Sequence, residues 1–101
     1  MVREVLKVVW DEEARQQIRS IYEYIKVDSL RSANKGRDDI IALTRKLPSQ
    51  SESHPPDKYK IDNDGSFRAF EKHHYRIAYR VKEKEIRILR IRHTKMNPLE
   101  Y

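Results

Sequence analysis

The first half of the chain carries one strand pattern followed by a helix pattern. Residues 4–10 (EVLKVVW) form a short Val-rich run that is typical of a strand. Asp11 then stands where a helix N-cap is expected, and acidic residues follow it in the first turn. Apolar residues recur on one face of a helix that we expect to run to about residue 27, namely Ala14, Ile18, Ile21, Tyr22 and Ile25.

A second helix pattern begins after Ser29, a residue type that caps helices well. Pro48 is expected to end this helix. Because only a few residues separate the two helices, they should form an antiparallel hairpin. The inward face of the second helix contains Leu30, Ala33, Arg37, Ile40, Leu43 (or Thr44) and Leu47.

Residues 48–65 (PSQSESHPPDKYKIDNDG) show no clear periodicity. A connection of this length is unusual in a compact domain, and such loops are often functional or mobile. A plain flexible connection explains the segment equally well, so both interpretations stay open.

From Phe67 onward the period changes to two. Residues 67–70 are a short strand, and residues 75–81 alternate apolar with basic side chains. Residues 82–84 form a short hairpin connection, and residues 85–92 form the last strand. The order β-α-α-β-β-β predicts one α+β domain over residues 1–101, with the helical hairpin packed on one face of a mostly antiparallel four-stranded sheet.

The last strand alternates imperfectly. Ile86 and Ile88 share one face, whereas Leu89 and Ile91 fall on the other. An inner strand that is covered on both faces has this pattern. The aromatic residues are expected to be core or half-core residues: Trp10, Tyr22, Tyr24, Tyr75 and Tyr79.

Charge is concentrated in the last third of the chain. The net charge is +6, yet residues 1–65 hold 12 basic and 12 acidic residues, and residues 66–95 hold ten basic and three acidic ones. This asymmetry indicates a polyanionic partner, either a nucleic acid or an acidic protein. The alternative is a solvated basic face without a ligand.

Composition excludes several classes of protein and site. There is no cysteine, hence no disulfide, thiolate nucleophile or cysteine-based zinc site. No apolar run is long enough for a transmembrane helix, and the N-terminus is too charged for a signal peptide, so we expect a cytoplasmic protein with no membrane partner. No metal site or cofactor is expected, because the adjacent His73 and His74 would point to opposite faces of a strand.

The remaining polar residues suit phosphodiester chemistry. Cleavage of RNA by its own 2′-OH requires a base, a cation at the phosphorane and a proton donor, but no metal. Arg68 and Arg76 lie on neighbouring predicted strands, and an arginine grips phosphate with two parallel hydrogen bonds. His93, Lys95 and Tyr101 follow the last strand and provide candidates for proton transfer and further positive charge.

Two segments, F67-R-A-F-E-K-H-H-Y-R-I-A-Y-R-V81 and E85-I-R-I-L-R-I-R-H-T94, resemble the RelE/ParE superfamily of type II toxin–antitoxin toxins. The N-terminal half agrees, with W-D-x-x-A and IYEYI in the first helix and LP at the end of the second. The resemblance implies the β-α-α-β-β-β fold, a toxin role and a cognate antitoxin that wraps the toxin. RelE-like members cut mRNA at the ribosome, whereas ParE-like members poison DNA gyrase without being nucleases.

The resemblance assigns roles to some of these residues and leaves others unmatched. Arg76 matches the arginine that contacts the scissile phosphate in RelE-like toxins, and Arg68 falls near a catalytic lysine. The second lysine of that branch would fall near Phe70, so that base is missing here. Asp57 lies near the catalytic glutamate of the YoeB-like branch, and His93 near its histidine.

Two further matches lie at the end of the chain. Lys95 falls near a later catalytic arginine of the RelE-like branch. Tyr101 is spaced from the last strand like the tyrosine of that branch. Three of the matched residues have a structural alternative: Arg76 as the partner of an acid, His93 as a donor that holds the strand end, and Tyr101 as a frayed terminus.

We therefore expect a metal-independent mRNA endonuclease that is neutralised by an antitoxin, with mRNA and the ribosome as target. The catalytic candidates are Arg68 and Arg76, which would stabilise the phosphorane together, Lys95, which would add positive charge, and His93 or Tyr101, which would move protons. The alternatives are a ParE-like gyrase inhibitor and a basic adaptor that binds RNA or an acidic peptide. The predicted nucleic-acid-binding residues are Lys58, Lys60, Arg80, Arg90 and Arg92.

Overall fold

The computed structural model describes residues 6–96, 100 and 101 of the chain. Two helices pack on a four-stranded sheet of order β1-β4-β3-β2, in which β1 runs parallel to β4 and the other pairs are antiparallel. The predicted α+β fold is confirmed; residues 4 and 5 of the predicted first strand lie outside the described residues. The elements are β1 (Lys7–Trp10), α1 (Glu12–Lys26), α2 (Leu30–Gln50), β2 (Phe67–Lys72), β3 (Tyr75–Val81) and β4 (Glu85–His93).

The two helix starts differ in how they are capped. The Ser29 hydroxyl accepts a hydrogen bond from the Ser32 amide at 3.1 Å, as predicted. Asp11 has the extended backbone of an N-cap residue, but its side chain makes no capping hydrogen bond. Its carboxylate instead accepts a hydrogen bond from Arg87 on β4 at 2.6 Å. The predicted position of the cap is right, and the competing arginine explains why the capping bond is absent.

Pro48 lies inside α2, which continues to Gln50. The prediction that Pro48 ends the helix is wrong. Proline adopts a helical φ, and its main cost is one missing amide hydrogen bond together with crowding against the preceding turn. Because α2 ends two residues later, that cost falls only on the final turn of the helix.

A β-bulge interrupts β4. Ala78 pairs with Arg90 and Tyr79 with Ile88, so Leu89 is an extra residue without a partner on β3. The bulge resets the alternation, and Ile91 is buried in the same cluster as Ile86 and Ile88. The prediction that Ile91 lies on the opposite face is therefore wrong, although β4 is an inner strand as expected.

The core lies between the helical hairpin and one face of the sheet. Tyr75 and Tyr79 are fully buried within it, and Trp10 and Tyr22 are half-buried, as predicted. Tyr24 is 71% exposed, so its assignment to the core is wrong. The other large buried side chains come from both helices and the sheet: Ile21, Ile40, Leu47, Phe70, Ile77, Ile86, Ile88 and Ile91.

A two-residue turn joins β2 to β3. His73 and His74 have φ values of 51° and 65°, a backbone region that type I′ turns require and that β-carbon-bearing residues rarely adopt. The two histidines therefore lie in the turn between the strands, and the argument that a strand would point them to opposite faces does not apply to them. In the described part of the chain, neither helix combines the length and apolarity needed to cross a bilayer.

Candidate functional site

The predicted catalytic residues are divided between the two faces of the sheet. Side chains that pair across neighbouring strands share a face. Arg68 pairs with Tyr79, and His93 pairs with Tyr75, so both lie on the face that packs against the helices. Arg76 pairs with Glu71 and Arg92, which places it on the opposite face, called here the open face.

Arg68 holds the loop that follows α2. Its Nη1 donates hydrogen bonds to the carbonyl oxygens of His54, at 2.7 Å, and Glu52, at 3.3 Å. The prediction that Arg68 and Arg76 stabilise one phosphorane together is therefore wrong, because the sheet separates their side chains.

His93 lies with its neighbours at the end of β4. Its Nδ1 accepts a hydrogen bond from the Lys95 amide at 3.1 Å, and its ring lies 6.0 Å from that of His74. Burial lowers the pKa of His93, and electrostatic interactions with His74 and Lys95 lower it further. The Lys95 side chain is exposed in the turn beyond the strand. His93 does not share a face with Arg76, and Lys95 lies outside the sheet.

The centre of the open face is a buried carboxylate. The Asp57 side chain is 2% exposed and that of Arg76 is 15% exposed, and Arg76 Nη2 donates to Asp57 Oδ1 at 2.8 Å. The same Oδ1 accepts from the Tyr59 amide at 3.0 Å, and Oδ2 accepts from the Tyr101 hydroxyl at 2.7 Å. Glu71 provides a second, exposed carboxylate 3.4 Å from Arg76. Arg76 is thus a counter-ion within the protein.

These contacts shift two pKa values in opposite directions. Burial alone would raise the pKa of Asp57, but hydrogen bonds from Tyr101, the Tyr59 amide and Arg76 outweigh it and hold that pKa below its ordinary value. Burial raises the pKa of Tyr101, and the hydrogen bond to the negative Asp57 raises it further. Tyr101 is consequently a poor proton donor or base, since its proton is already engaged.

Aromatic rings cover three further cations of the open face. The guanidinium carbon of Arg80 lies 4.6 Å from the Phe67 ring centre, and that of Arg90 lies 4.7 Å from the Tyr101 ring centre. Lys60 Nζ lies 4.7 Å from the Phe67 ring centre. Such cation–π contacts are attractive and partly desolvate the charge. Three of the predicted nucleic-acid-binding residues therefore face internal partners.

The other two predicted nucleic-acid-binding residues are Lys58 and Arg92. Lys58 Nζ lies 5.2 Å from the ring centre of its neighbour Tyr59, and the residue is otherwise exposed. Arg92 lines a small cavity that Asp57, Arg76 and Tyr101 also line. That cavity has a volume of about 10 Å³. This is barely enough for one water molecule, whereas small-molecule sites measure about 300–1,000 Å³.

The loop before β2 and the last residue of the sequence together close the open face. The Tyr101 amide donates to the Tyr59 carbonyl at 3.0 Å, and the Ile61 amide donates to the Tyr101 carbonyl. The Tyr101 and Phe67 rings meet edge to face with centroids 6.0 Å apart. Sequence reasoning missed Tyr59 and Phe67 as parts of this arrangement. The available signal was the alternation of aromatic and basic residues in K-Y-K and F-R.

No three histidine, aspartate or glutamate side chains in the described ranges lie close enough to hold a metal ion. The open face presents an ion-pair network around Asp57 and Arg76, together with three cations held against aromatic rings. Its geometry is suited to binding through a preformed surface more than to moving protons.

The model of the ParE toxin family of type II toxin–antitoxin systems (parDE) matches residues 8–98. A chromosomal ParDE system from P. aeruginosa aligns over 90% of this chain and 98% of its own, with a TM-score of 0.70 and 23% identity. The YoeB dimer structure from Staphylococcus aureus aligns over 88% of this chain and 97% of its own, with a TM-score of 0.52 and 16% identity. No curated protein sequence matches. The chain belongs to the ParE toxin family, within the RelE/ParE superfamily of type II toxin–antitoxin toxins.

Proposed function

We propose that this toxin arrests growth in the ParE-like manner, by binding DNA gyrase in the cytoplasm, and that it does not cleave mRNA. The observation that carries the second part of the proposal, the absence of mRNA cleavage, is the ion pair between Arg76 and the buried Asp57. A guanidinium that already neutralises a buried carboxylate has little net charge to offer a phosphorane.

The geometry supports mRNA cleavage less well. Cleavage requires a cation, a base and an acid within reach of one phosphate. Arg76 and Tyr101 lie on the open face, whereas His93 and Arg68 lie on the other. Phe70 stands where the RelE-like branch has a lysine, and its ring stacks on His54 at 4.6 Å.

A cognate antitoxin follows from membership of a type II family. Gyrase as target rests on the ParE family model, which favours it over the ribosome. The positive charge of residues 66–95 fits either an acidic antitoxin segment or the surface of a DNA-bound enzyme.

Two assays separate the candidate functions. Purified toxin is incubated with gyrase and plasmid DNA, and trapped double-strand breaks are measured as linear DNA. RNA 5′ ends are sequenced after induced expression in cells. We expect linear DNA and an SOS response with unchanged RNA ends. New RNA ends on translating ribosomes without DNA breaks would refute the proposal, and no growth arrest at all would favour the adaptor.

The Arg76→Ala variant sharpens the comparison. The change leaves Asp57 without its counter-ion in either case, so the melting temperature falls. A nuclease would lose RNA cleavage far beyond what this loss of stability explains, whereas in our proposal toxicity falls only in step with stability. Arg31→Ala is the matched control, because Arg31 is an exposed residue of α2 on the other side of the sheet.

A further inference from the structure

The turn between β2 and β3 is built from residues that its backbone disfavours. His73 and His74 both have a positive φ, at positions where type I′ turns usually carry asparagine, aspartate or glycine. Strained backbone persists mainly where the surrounding structure or a function requires it. The two histidines therefore each need either a structural partner or a role outside folding.

Only His73 has a hydrogen-bonding partner that explains it. Its Nε2 lies 2.6 Å from Asp39 Oδ2, a contact that ties the turn to α2. Among the described residues the exposed His74 side chain makes no hydrogen bond, and its ring lies nearly parallel to that of His93 with centroids 6.0 Å apart. The hydrogen bond from the Lys95 amide orients the His93 ring in turn. His74 is thus an oriented imidazole on the surface.

Two lysines flank this turn at the same edge of the sheet. Because β3 lies between β2 and β4, the end of β2, the turn and the residues after β4 meet at one edge. Lys72 ends β2 and Lys95 follows β4, and both are exposed. In the part of the chain that the structure describes, neither lysine forms an ion pair. We call Lys72, His74 and Lys95 the turn edge.

The acids near the turn edge already have cationic partners. Glu71 contacts Arg76 on the open face, and Asp39 accepts a hydrogen bond from Lys35 as well as contacting the turn. The ends of β2 and β4 lie two strand spacings apart, about 10 Å. A DNA duplex carries about one negative charge per 1.7 Å of its axis, so an edge of this width meets several phosphates at once.

We propose that the turn edge binds the phosphodiester backbone of DNA. Lys72 and Lys95 each neutralise a phosphate, and the His74 imidazole donates a hydrogen bond to a phosphate oxygen. Contacts of this kind position a protein on DNA without reading its sequence. The inference rests on the proposed function, since a toxin bound to gyrase lies close to the DNA on which gyrase acts.

The salt dependence of DNA binding tests the two lysines. Purified toxin is titrated into a short fluorescein-labelled DNA duplex at several salt concentrations, and anisotropy is measured. Lys72→Ala/Lys95→Ala is compared with Lys82→Ala/Lys84→Ala, which removes the same charge from the exposed β3–β4 turn at the opposite edge of the sheet. Each lost phosphate contact lowers the slope of log affinity against log salt by about one. We expect a fall of about two in the first variant and none in the second.

His74→Gly tests the imidazole separately from the fold. Glycine adopts the backbone of the turn without strain, so this variant should melt no lower than the wild type. We expect its DNA affinity to fall several-fold nevertheless, and the imidazole NMR signals of His74 and His93 in the wild type to shift when the duplex is added. A histidine with a purely structural role would change the melting temperature and leave the affinity unchanged, which overturns the proposal.

Three other outcomes overturn it as well. They are no binding of the duplex by the wild type, equal slopes in the two lysine variants, and a loss of antitoxin affinity instead of DNA affinity in Lys72→Ala/Lys95→Ala. The last result would indicate an acidic protein as the partner. A toxin that yields linear DNA with gyrase but does not bind the duplex refutes this inference alone. A toxin that binds the duplex but leaves gyrase unaffected refutes only the proposed function.

Discussion

Asp57→Asn is the most direct test of the charge network on the open face. Asparagine has nearly the same shape, and it keeps one carbonyl oxygen for the Tyr59 amide and for Arg76. What it removes is the negative charge that compensates the largely buried Arg76. Breaking a buried ion pair from one side costs about 3–5 kcal/mol. Because Glu71 stays 3.4 Å from Arg76, we expect a loss of about 2–3 kcal/mol.

Urea denaturation followed by circular dichroism measures this loss. For a domain of this size, 2–3 kcal/mol corresponds to a fall in melting temperature of about 10–20 °C. Asp62→Asn is the control, because Asp62 is an exposed residue of the same loop, and it should change stability by less than about 0.5 kcal/mol. Equal stability of Asp57→Asn and Asp62→Asn would refute the counter-ion argument.

The pH dependence of the stability of Asp57→Asn tests whether the ionised form of Asp57 stabilises the folded protein. The pKa of Asp57 is lower in the folded protein than in the unfolded chain, where it is about 3.9. Below about pH 4 the unfolded chain binds more protons than the folded protein does. The stabilisation by the ionised Asp57 is therefore fully present above about pH 4, and it is lost as the pH falls through the pKa that Asp57 has in the folded protein. The stability difference between wild type and Asp57→Asn should shrink in that window. A difference that stays constant from pH 7 down to pH 2 would contradict the assignment.

Three further predictions concern the core, the β2–β3 turn and the edge of β4. The Tyr75 hydroxyl is buried and has no hydrogen-bond partner among the described residues, so Tyr75→Phe should stabilise the protein by about 1 kcal/mol in urea melts. His74→Gly should raise stability by about 1 kcal/mol, because glycine adopts the φ of 65° without strain; a lower melting temperature would contradict this. The Gln17 side chain accepts the Ile91 amide at 2.7 Å, so Gln17→Ala should cost about 1 kcal/mol and speed hydrogen exchange at that amide.

The spacing of apolar residues predicted the helices and strands of this fold, because burying one face of a helix or strand imposes a regular spacing on its apolar residues. The switch from period 3.6 to period two located both helices and the three strands of the second half. Arg76 was correctly assigned to the row opposite Tyr75 and Ile77, because alternation needs no long-range information.

The candidate site was less predictable because it depends on partners that are distant in sequence. Asp57 reaches Arg76 across 19 positions and Tyr101 across 44 positions, and no local pattern encodes those contacts. The division of Arg68 from Arg76 was in principle predictable. With a two-residue turn between β2 and β3, Arg68 pairs with Tyr79, so the two arginines must face opposite sides of the sheet.

The bulge at Leu89 determines which face His93 occupies, and deleting this residue tests that argument. In a regular strand, burying Ile86 and Ile88 would also turn Arg90 and Arg92 into the core. Burying an unpaired charge costs far more free energy than a β-bulge in the hydrogen-bond ladder. The sequence of β4 therefore requires the bulge. Without Leu89, Ile86, Ile88, Ile91 and His93 alternate regularly with the arginines. We therefore expect the deletion to leave the faces unchanged and the protein folded by circular dichroism.

Deletion of Ala78 is the matched control for that experiment. Ala78 pairs with Arg90 beside the bulge, but β3 alternates regularly on both sides of it. Removing it turns Arg80 toward the core and Tyr79 away from it, so this variant should not fold. If the two deletions destabilise the protein equally, the bulge does more than reset the alternation, and the placement of His93 on the helix side needs another cause.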